Sequence, residues 1–539
     1  MEANALSFDP RHPWLPLPGM AGLEWAVEVF TTENAYGLDP AMTTFAAGRL
    51  EARGLQWLGG QRRVAGRVDA MVETNQGSHV WRIIAETEGF VKGIKLLVRG
   101  LPALTSISGW WTPTTPAGSW LSPTRDQPLH LNYPWPDWQT PWACRGEGPA
   151  ITVSLRDANV RPKRLHVSKP YWSASDVLEV VSDESAVALS SRFEAPEIRL
   201  RECVSQEEVH EDFREHLTAL ESGYGLVSWE ERGDVPTWAR NLDLVLTLHG
   251  QHWTGFVFNT FDQMSEILTD VTTDVPGDRI LAYLPGWEGR YYWQYPDYRP
   301  GQDLGGDEGF SRLVATARRL GVHLMPMFGA NGAHVDRYPD WERAALRSPS
   351  NNYVALINAP DWDNDRAPED DQVFLNPGEP RFRQHLVQQV IDLVERHPVD
   401  GVFLDTSGCW FNDPRHEVFP GYRELVGEIH SRHPELLVCG EGWYDALLSV
   451  FPMNQTWLDM SQAPRFDDLP MKYARTLGHL KDGAPGAGST GVHEGGVRPL
   501  GRPLRVNGYV PALSVVDDTF TKHRDAVREF CRAVVGERL

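Results

Sequence analysis

The rhythm of apolar and polar positions changes once along this chain, near residue 205. Before it, residues 25–30, 80–86, 95–99, 151–155 and 177–181 mix apolar and polar positions in rough alternation, as half-buried strands do. Gly and Pro punctuate the gaps, nothing long has helical spacing, and residues 110–142, rich in Trp and Pro, read as loops. Strands spaced in this way predict an antiparallel β-sandwich over residues 1–204. At the change, Ser205 with Glu208 three residues later makes a capping-box pattern, followed by Val209, Phe213 and Leu217 at helical spacing. Residues 205–236 are therefore expected to be a helical linker.

From residue 237 the pattern alternates between strand and helix. Residues 242–248 form an apolar run ending at His249, and residues 280–284 a second that leads into Pro285-Gly286-Trp287. Phe310, Leu313, Val314 and Ala317 predict a helix closed by Gly321, with a strand over 322–328 behind it. Phe382, Leu386, Val390 and Leu393 mark another helix. A short run then ends at Asp405, a helix passes through Tyr422, Leu425 and Ile429, and a further run ends at Glu441. Less regular candidates cover 455–460 and 509–516. Roughly eight such strands over about 300 residues suit a (β/α)8 TIM barrel, so the fold class expected is multidomain, β plus α/β, with the barrel over 237–539. Residues 331–376 read as an insertion lying over the barrel's catalytic face.

Composition narrows the partners. The 539 residues are 41% apolar with a formal charge of −22, enough for a large core and unfavourable for nucleic acid or an anionic membrane surface. The 21 Trp point elsewhere, because flat rings stack on sugar faces as well as fill cores. The five cysteines lack metal-ligand spacing, and no basic-then-apolar leader or membrane-length apolar run occurs; a cytoplasmic protein is expected. No phosphate-binding or dinucleotide fingerprint appears, so no organic cofactor is implied. Oligomeric state is not legible.

The two strand-end carboxylates carry the candidate chemistry. Asp405 followed by Thr406-Ser407-Gly408 could be no more than a turn cap. Glu441, between Gly440 and Gly442, is harder to read as a solvated helix residue. Together, on neighbouring strand ends of one barrel, they are the equipment for cleaving a glycosidic bond with retention through a covalent glycosyl-enzyme. The hydroxyls of Thr406 and Ser407 should keep Asp405 ionised as nucleophile, and burial beside Trp443 should raise the Glu441 pKa for a general acid/base. Further substrate contacts are expected from His249, His252, Trp287, Asn331, Trp410, Trp443, Asp459, His493 and Glu494, with Trp293 and Trp362 as other possible sugar platforms. His249 and His252 with His493 and Glu494 could instead ligate a metal, but the spacing of three between the first pair does not suit a barrel metal site, and none is expected.

The order of these parts resembles known families. Residues 305–310 leading into 317–326 look like the third repeat of α-amylase-type barrels, residues 400–405 like their fourth-strand nucleophile segment, and residues 438–441 like their fifth-strand acid segment. The same order of fourth-strand Asp and fifth-strand Glu occurs in the endo-α-N-acetylgalactosaminidase and α-N-acetylgalactosaminidase families. The resemblance, over roughly residues 280–445, implies a retaining α-glycosidase, often with a β-sandwich beside the barrel. The α-amylase family has Arg two residues before its nucleophile where this chain has Phe403, and its late His-Asp pair has no clear counterpart, although Asp517-Asp518 or His493-Glu494 could be stand-ins. A shared machinery with a different sugar is the expectation. A transglycosylase would use the same pair, and a non-catalytic carbohydrate-binding protein would keep the tryptophans without needing the carboxylates.

Overall fold

A computed structural model describes residues 7–9, 12–57, 62–75, 77–101, 107–109, 129–134, 138–145, 150–168, 175–252, 255–290, 293–352, 372–455, 472–479, 508–515 and 519–536. Their contacts divide the chain into two compact units with a boundary between Leu226 and Val227.

The first unit is an antiparallel assembly of 18 strands. Residues 80–86 and 95–99, separate strands by sequence pattern, are two parts of one strand, Ser78–Leu101. Its first half pairs with Gly66–Asn75, its second half with Glu24–Thr31 and Asp176–Asp183. One continuous strand therefore serves two sets of neighbours. Trp14, Trp25 and Trp81 are wholly enclosed in this unit, and the rings of Trp25 and Trp81 meet edge-on at 6.2 Å. Each large apolar side chain so enclosed contributes about 1.5–3 kcal/mol.

Ser205 caps the helix Gln206–Tyr224 by accepting from the Glu208 N–H, while the Glu208 carboxylate returns to the Val204 N–H at 2.9 Å rather than to the cap residue itself. Val209, Phe213 and Leu217 are buried as their spacing predicts. The helix packs on the strands Trp142–Arg145, Ala150–Arg156 and Glu197–Cys203, with Trp142 Nε1 donating to Asp212 Oδ2 at 2.9 Å. Gly225 ends it in the left-handed region (φ 68°), where a Cβ would be strained. This helix, read from sequence as part of a linker, is integral to the β unit.

The second unit is a closed barrel of eight parallel strands: Leu244–Leu248, Ile280–Leu284, His323–Gly329, Gly401–Asp405, Leu437–Glu441, Met453–Gln455, Arg475–His479 and Tyr509–Val515. The first, second, fourth and fifth strands are buried at every position, which is why they read as unbroken apolar runs rather than alternating ones. The expected helix through Phe310 spans Gly306–Leu320, buries Phe310, Leu313, Val314 and Ala317, and stops at Gly321 with φ 77°. The seventh strand was missed because Arg475-Thr476-Leu477-Gly478-His479 is no apolar run. The sixth lies earlier than the 455–460 expected, and residues 456–460 fall outside the described residues. In the insertion after strand three, Gly332–His334 pairs antiparallel with Gln372–Phe374.

Register sets the interior. Met327, Phe403, Cys439 and Met453 are register partners across strands three to six and are all fully buried. The ring of Tyr283 lies 4.6 Å from that of Phe403, and its hydroxyl meets Met327 Sδ at 3.1 Å. Phe403, where the α-amylase resemblance expects Arg, thus belongs to an apolar floor. Two residues further along each strand, on the same side of the sheet, comes the rung that faces the mouth.

Candidate active site

That rung reads Gly329, Asp405, Glu441, Gln455. Gly329 pairs with Asp405, Glu441 pairs with Gln455, and Asp405 and Glu441 lie one step beyond the Leu404–Gly440 pair. Neighbouring strands run about 4.8 Å apart, so two carboxylates level on adjacent strands must be close. Their side chains hydrogen-bond each other, and Asp405 is 2% exposed. Burial pushes the Asp405 carboxyl well above the usual range; the Glu441 charge and hydrogen bond push it further, Glu288 adds to this, and the Thr406 backbone opposes it.

The hydroxyls beside Asp405 do something other than the sequence suggests. Thr406 Oγ1 donates to Asn331 Oδ1 and also contacts the Asp405 carbonyl at 2.7 Å, while Ser407 Oγ donates to the Glu441 carbonyl at 3.2 Å and accepts from the Glu441 N–H at 2.8 Å. Neither holds the Asp405 carboxylate ionised. The expectation fails because the chain turns sharply after Asp405: Thr406 has φ 59°, a left-handed conformation that is costly for a β-branched residue. That turn points the Thr406 N–H at Glu441 Oε2, 2.8 Å away. Gly408 N–H also donates to the Glu441 carbonyl, at 2.6 Å. Among the described residues, Asp405 Oδ2 has no hydrogen-bond partner.

Position 329 must be Gly because a Cβ there would lie 2.3 Å from the Tyr295 ring, which fills the space beside Asp405. Tyr298 closes the same side, its hydroxyl accepting from the Gly329 N–H at 2.8 Å and donating to the Gly329 carbonyl at 3.2 Å. Sequence reading missed a third carboxyl here. Glu288 follows the second strand between Gly286 and Gly289, both at positive φ (67° and 110°). It is 4% exposed, neither side-chain oxygen has a hydrogen-bond partner in another described residue, and it acts electrostatically on Asp405 and Tyr298. Burial raises it to about 8, its own backbone amide offsetting only part of that. The available signal was a Glu directly after a strand-end Gly-Trp.

The other expected contacts divide. Asn331 sits at the rung's edge, fully buried, with Nδ2 unpartnered among the described residues. Gln455, not singled out from sequence, is level with Glu441, and neither end of its buried amide has a partner among the described residues. His249 is fully buried at the end of strand one, its ring edge-on to Phe258 at 5.1 Å, and His252 is half-buried against the same ring. Trp287 is no platform: it is wholly enclosed, packed on Phe310 and Phe328, with Nε1 donating to the Met327 carbonyl at 2.7 Å. Trp443 is buried, Trp410 half-buried, and Trp293 half-buried beneath the Arg290 guanidinium, 3.7 Å from its ring. Asp459, His493, Glu494, Trp362 and Asp517-Asp518 lie outside the described residues. Among the described residues, no three His, Cys, Asp or Glu side chains are placed to hold a metal ion.

Chemically, hydrogen-bonded carboxyls suit a mechanism in which one attacks while the other transfers a proton, since inversion needs a separation of about 6.5–9.5 Å to admit a water between them. No protein-family model and no curated protein sequence matches the chain. Solved structures do match in fold. Ligand-free α-N-acetylgalactosaminidase NagBb from Bifidobacterium bifidum superposes with a TM-score of 0.62 at 13% identity, covering 96% of this chain and 92% of that one. Its GalNAc complex gives 0.66 at 11% identity, covering 97% and 89%. The likeness spans both units, and at this identity it establishes a shared architecture of barrel and β domain.

Proposed function

We propose that the protein is a glycoside hydrolase that cleaves an α-linked sugar with retention. The observation that carries the reading is the placement of Asp405 and Glu441 level on adjacent barrel strands, within hydrogen-bonding reach of each other. Asp405 is the nucleophile, because its Oδ2 is uncommitted while Glu441 Oε2 already accepts the Thr406 N–H. Asp405 Oδ2 attacks the anomeric carbon as the glycosidic bond breaks, and its electrons pass to the leaving oxygen, which Glu441 protonates. Glu441 then takes a proton from water, which attacks the same carbon and frees Asp405. Without a positive charge beside it, Asp405 favours its protonated form, driven there by burial and by Glu441 and Glu288. A sugar entering between the carboxyls and developing positive charge at its anomeric carbon favours ionised Asp405.

The α configuration is supported by the order of fourth-strand Asp and fifth-strand Glu and by the fold shared with an α-N-acetylgalactosaminidase. An α-N-acetylgalactosaminide is therefore the first substrate to try within a panel of nitrophenyl α- and β-glycosides. Proton NMR of the sugar first released tests the mechanism. The α anomer is expected, and the β anomer from an α substrate would remove Asp405 from the nucleophile role. A fluorosugar that traps the glycosyl-enzyme should label the peptide containing Asp405.

A further inference from the structure

Polar atoms without partners are rare inside proteins, because each costs its full desolvation. Among the described residues such atoms occur in both units, and those at this barrel mouth are both oxygens of Glu288, Nδ2 of Asn331 and the Gln455 amide, all on side chains at least nine-tenths buried. Glu288 is the most expensive, a carboxyl that meets no group but its own backbone amide and, among the described residues, has no cation beside it. Its surroundings preserve this state. Gly286 and Gly289 shape the turn that presents it, and Asp405 and Tyr298 are the titratable groups that feel it. Such a cost is retained where a ligand supplies the missing partners.

Resting on the glycosidase reading, we propose that Glu288 is a binding residue that grips a pair of hydroxyls on the sugar ring held beside Asp405. A carboxyl offers two oxygens in one plane, matching two neighbouring ring hydroxyls. In its protonated form it gives one hydrogen bond and accepts another without setting a third negative charge against Asp405. That matters because charge on Glu288 raises Asp405 and so opposes the ionised nucleophile. Gln at this position keeps one donor and one acceptor; Leu keeps only the volume.

The test compares Glu288→Gln and Glu288→Leu with wild type on the best nitrophenyl glycoside. Leu is expected to raise KM at least about 30-fold with kcat within about tenfold, and Gln to raise KM by less than about tenfold. Melting temperature gives a readout that a structural role would move the other way: removing an unpartnered buried carboxyl should raise Tm by about 2–4 °C in the Leu variant. A wild-type KM in the Leu variant, or a fall in Tm, overturns the proposal. If wild type cleaves no glycoside of the panel, the hydrolase reading fails by itself, and calorimetric titration of the corresponding free monosaccharides decides about Glu288. A sugar bound by wild type and lost in the Leu variant supports the proposal; equal binding by both, or binding by neither, overturns it.

Discussion

Two buried carboxylates, one in each unit, have opposite fates. Burial would push Asp157 up, but Lys163 Nζ at 3.0 Å and Arg161 Nε at 2.9 Å outweigh it and hold its carboxyl below the usual range. Asp405 is as deeply enclosed, yet its neighbours are Glu441 and Glu288, and it is driven up. The β unit matches its buried charge with cations and gains a rigid joint. Among the described residues, the barrel mouth stacks like upon like and is left with an uncommitted Asp405 oxygen, an unpartnered Asn331 Nδ2 and a wholly unpartnered Gln455 amide. Mismatched charge of this kind, surrounded by groups awaiting partners, marks the place of chemistry better than burial or aromatic content does.

Breaking each side of this comparison should cost different things. Asp405→Asn should lower kcat by about 10⁴-fold or more while leaving the folded state intact or stabilised, as rate and Tm measured together would reveal. Unchanged activity would end the catalytic assignment. Lys163→Met should do the converse. With a fully buried ammonium gone, Asp157 keeps only Arg161, and unfolding stability should fall by about 3 kcal/mol in denaturant titration with kcat unaltered.

The pH dependence should separate the two regions further. Glu288 holds its proton to about pH 8 in the folded chain but loses it near 4.5 when unfolded. Between those values the folded state carries the extra proton, so its contribution to stability falls as pH rises. Asp157, lowered from 3.8, contributes stability above that value and loses it as pH drops through its folded pKa. Calorimetry from pH 5 to 8 should therefore show a shallower decline of Tm in Glu288→Gln than in wild type; parallel curves would count against the raised carboxyl. The smallest effect belongs to Thr406→Gly, which relieves the φ of 59° but loses the hydroxyl on Asn331. Stability should change by less than about 1 kcal/mol and kcat/KM by less than about tenfold.

Much of the architecture was legible because burial on both faces leaves an apolar run, and the runs ending at Asp405 and Glu441 announce strand ends. The helix through Phe310 was equally plain, with its face and its closing Gly321. What escaped depends on pairings between distant segments. Arg475–His479 is recognisable as a strand only from its neighbours. Gln455 matters because register sets it beside Glu441, and Gly329 because Tyr295 descends on it. Trp287 illustrates the reverse error: its composition suggested a sugar platform, but enclosure by Phe310 and Phe328 makes it core. The hydroxyls after Asp405 were rightly located and wrongly employed, since a left-handed residue cannot be foreseen at a Thr.

The turn at Thr406 also has a consequence in time. Backbone amides of Gly408, Glu441 and Gly442 each have a fixed acceptor, at 2.6, 2.8 and 2.6 Å, and should trade hydrogen for deuterium as slowly as the barrel core does. The Thr406 amide differs, because its acceptor is Oε2 at the far end of the Glu441 side chain. Its exchange is a clock for that side chain, running faster whenever the carboxylate swings away from the turn.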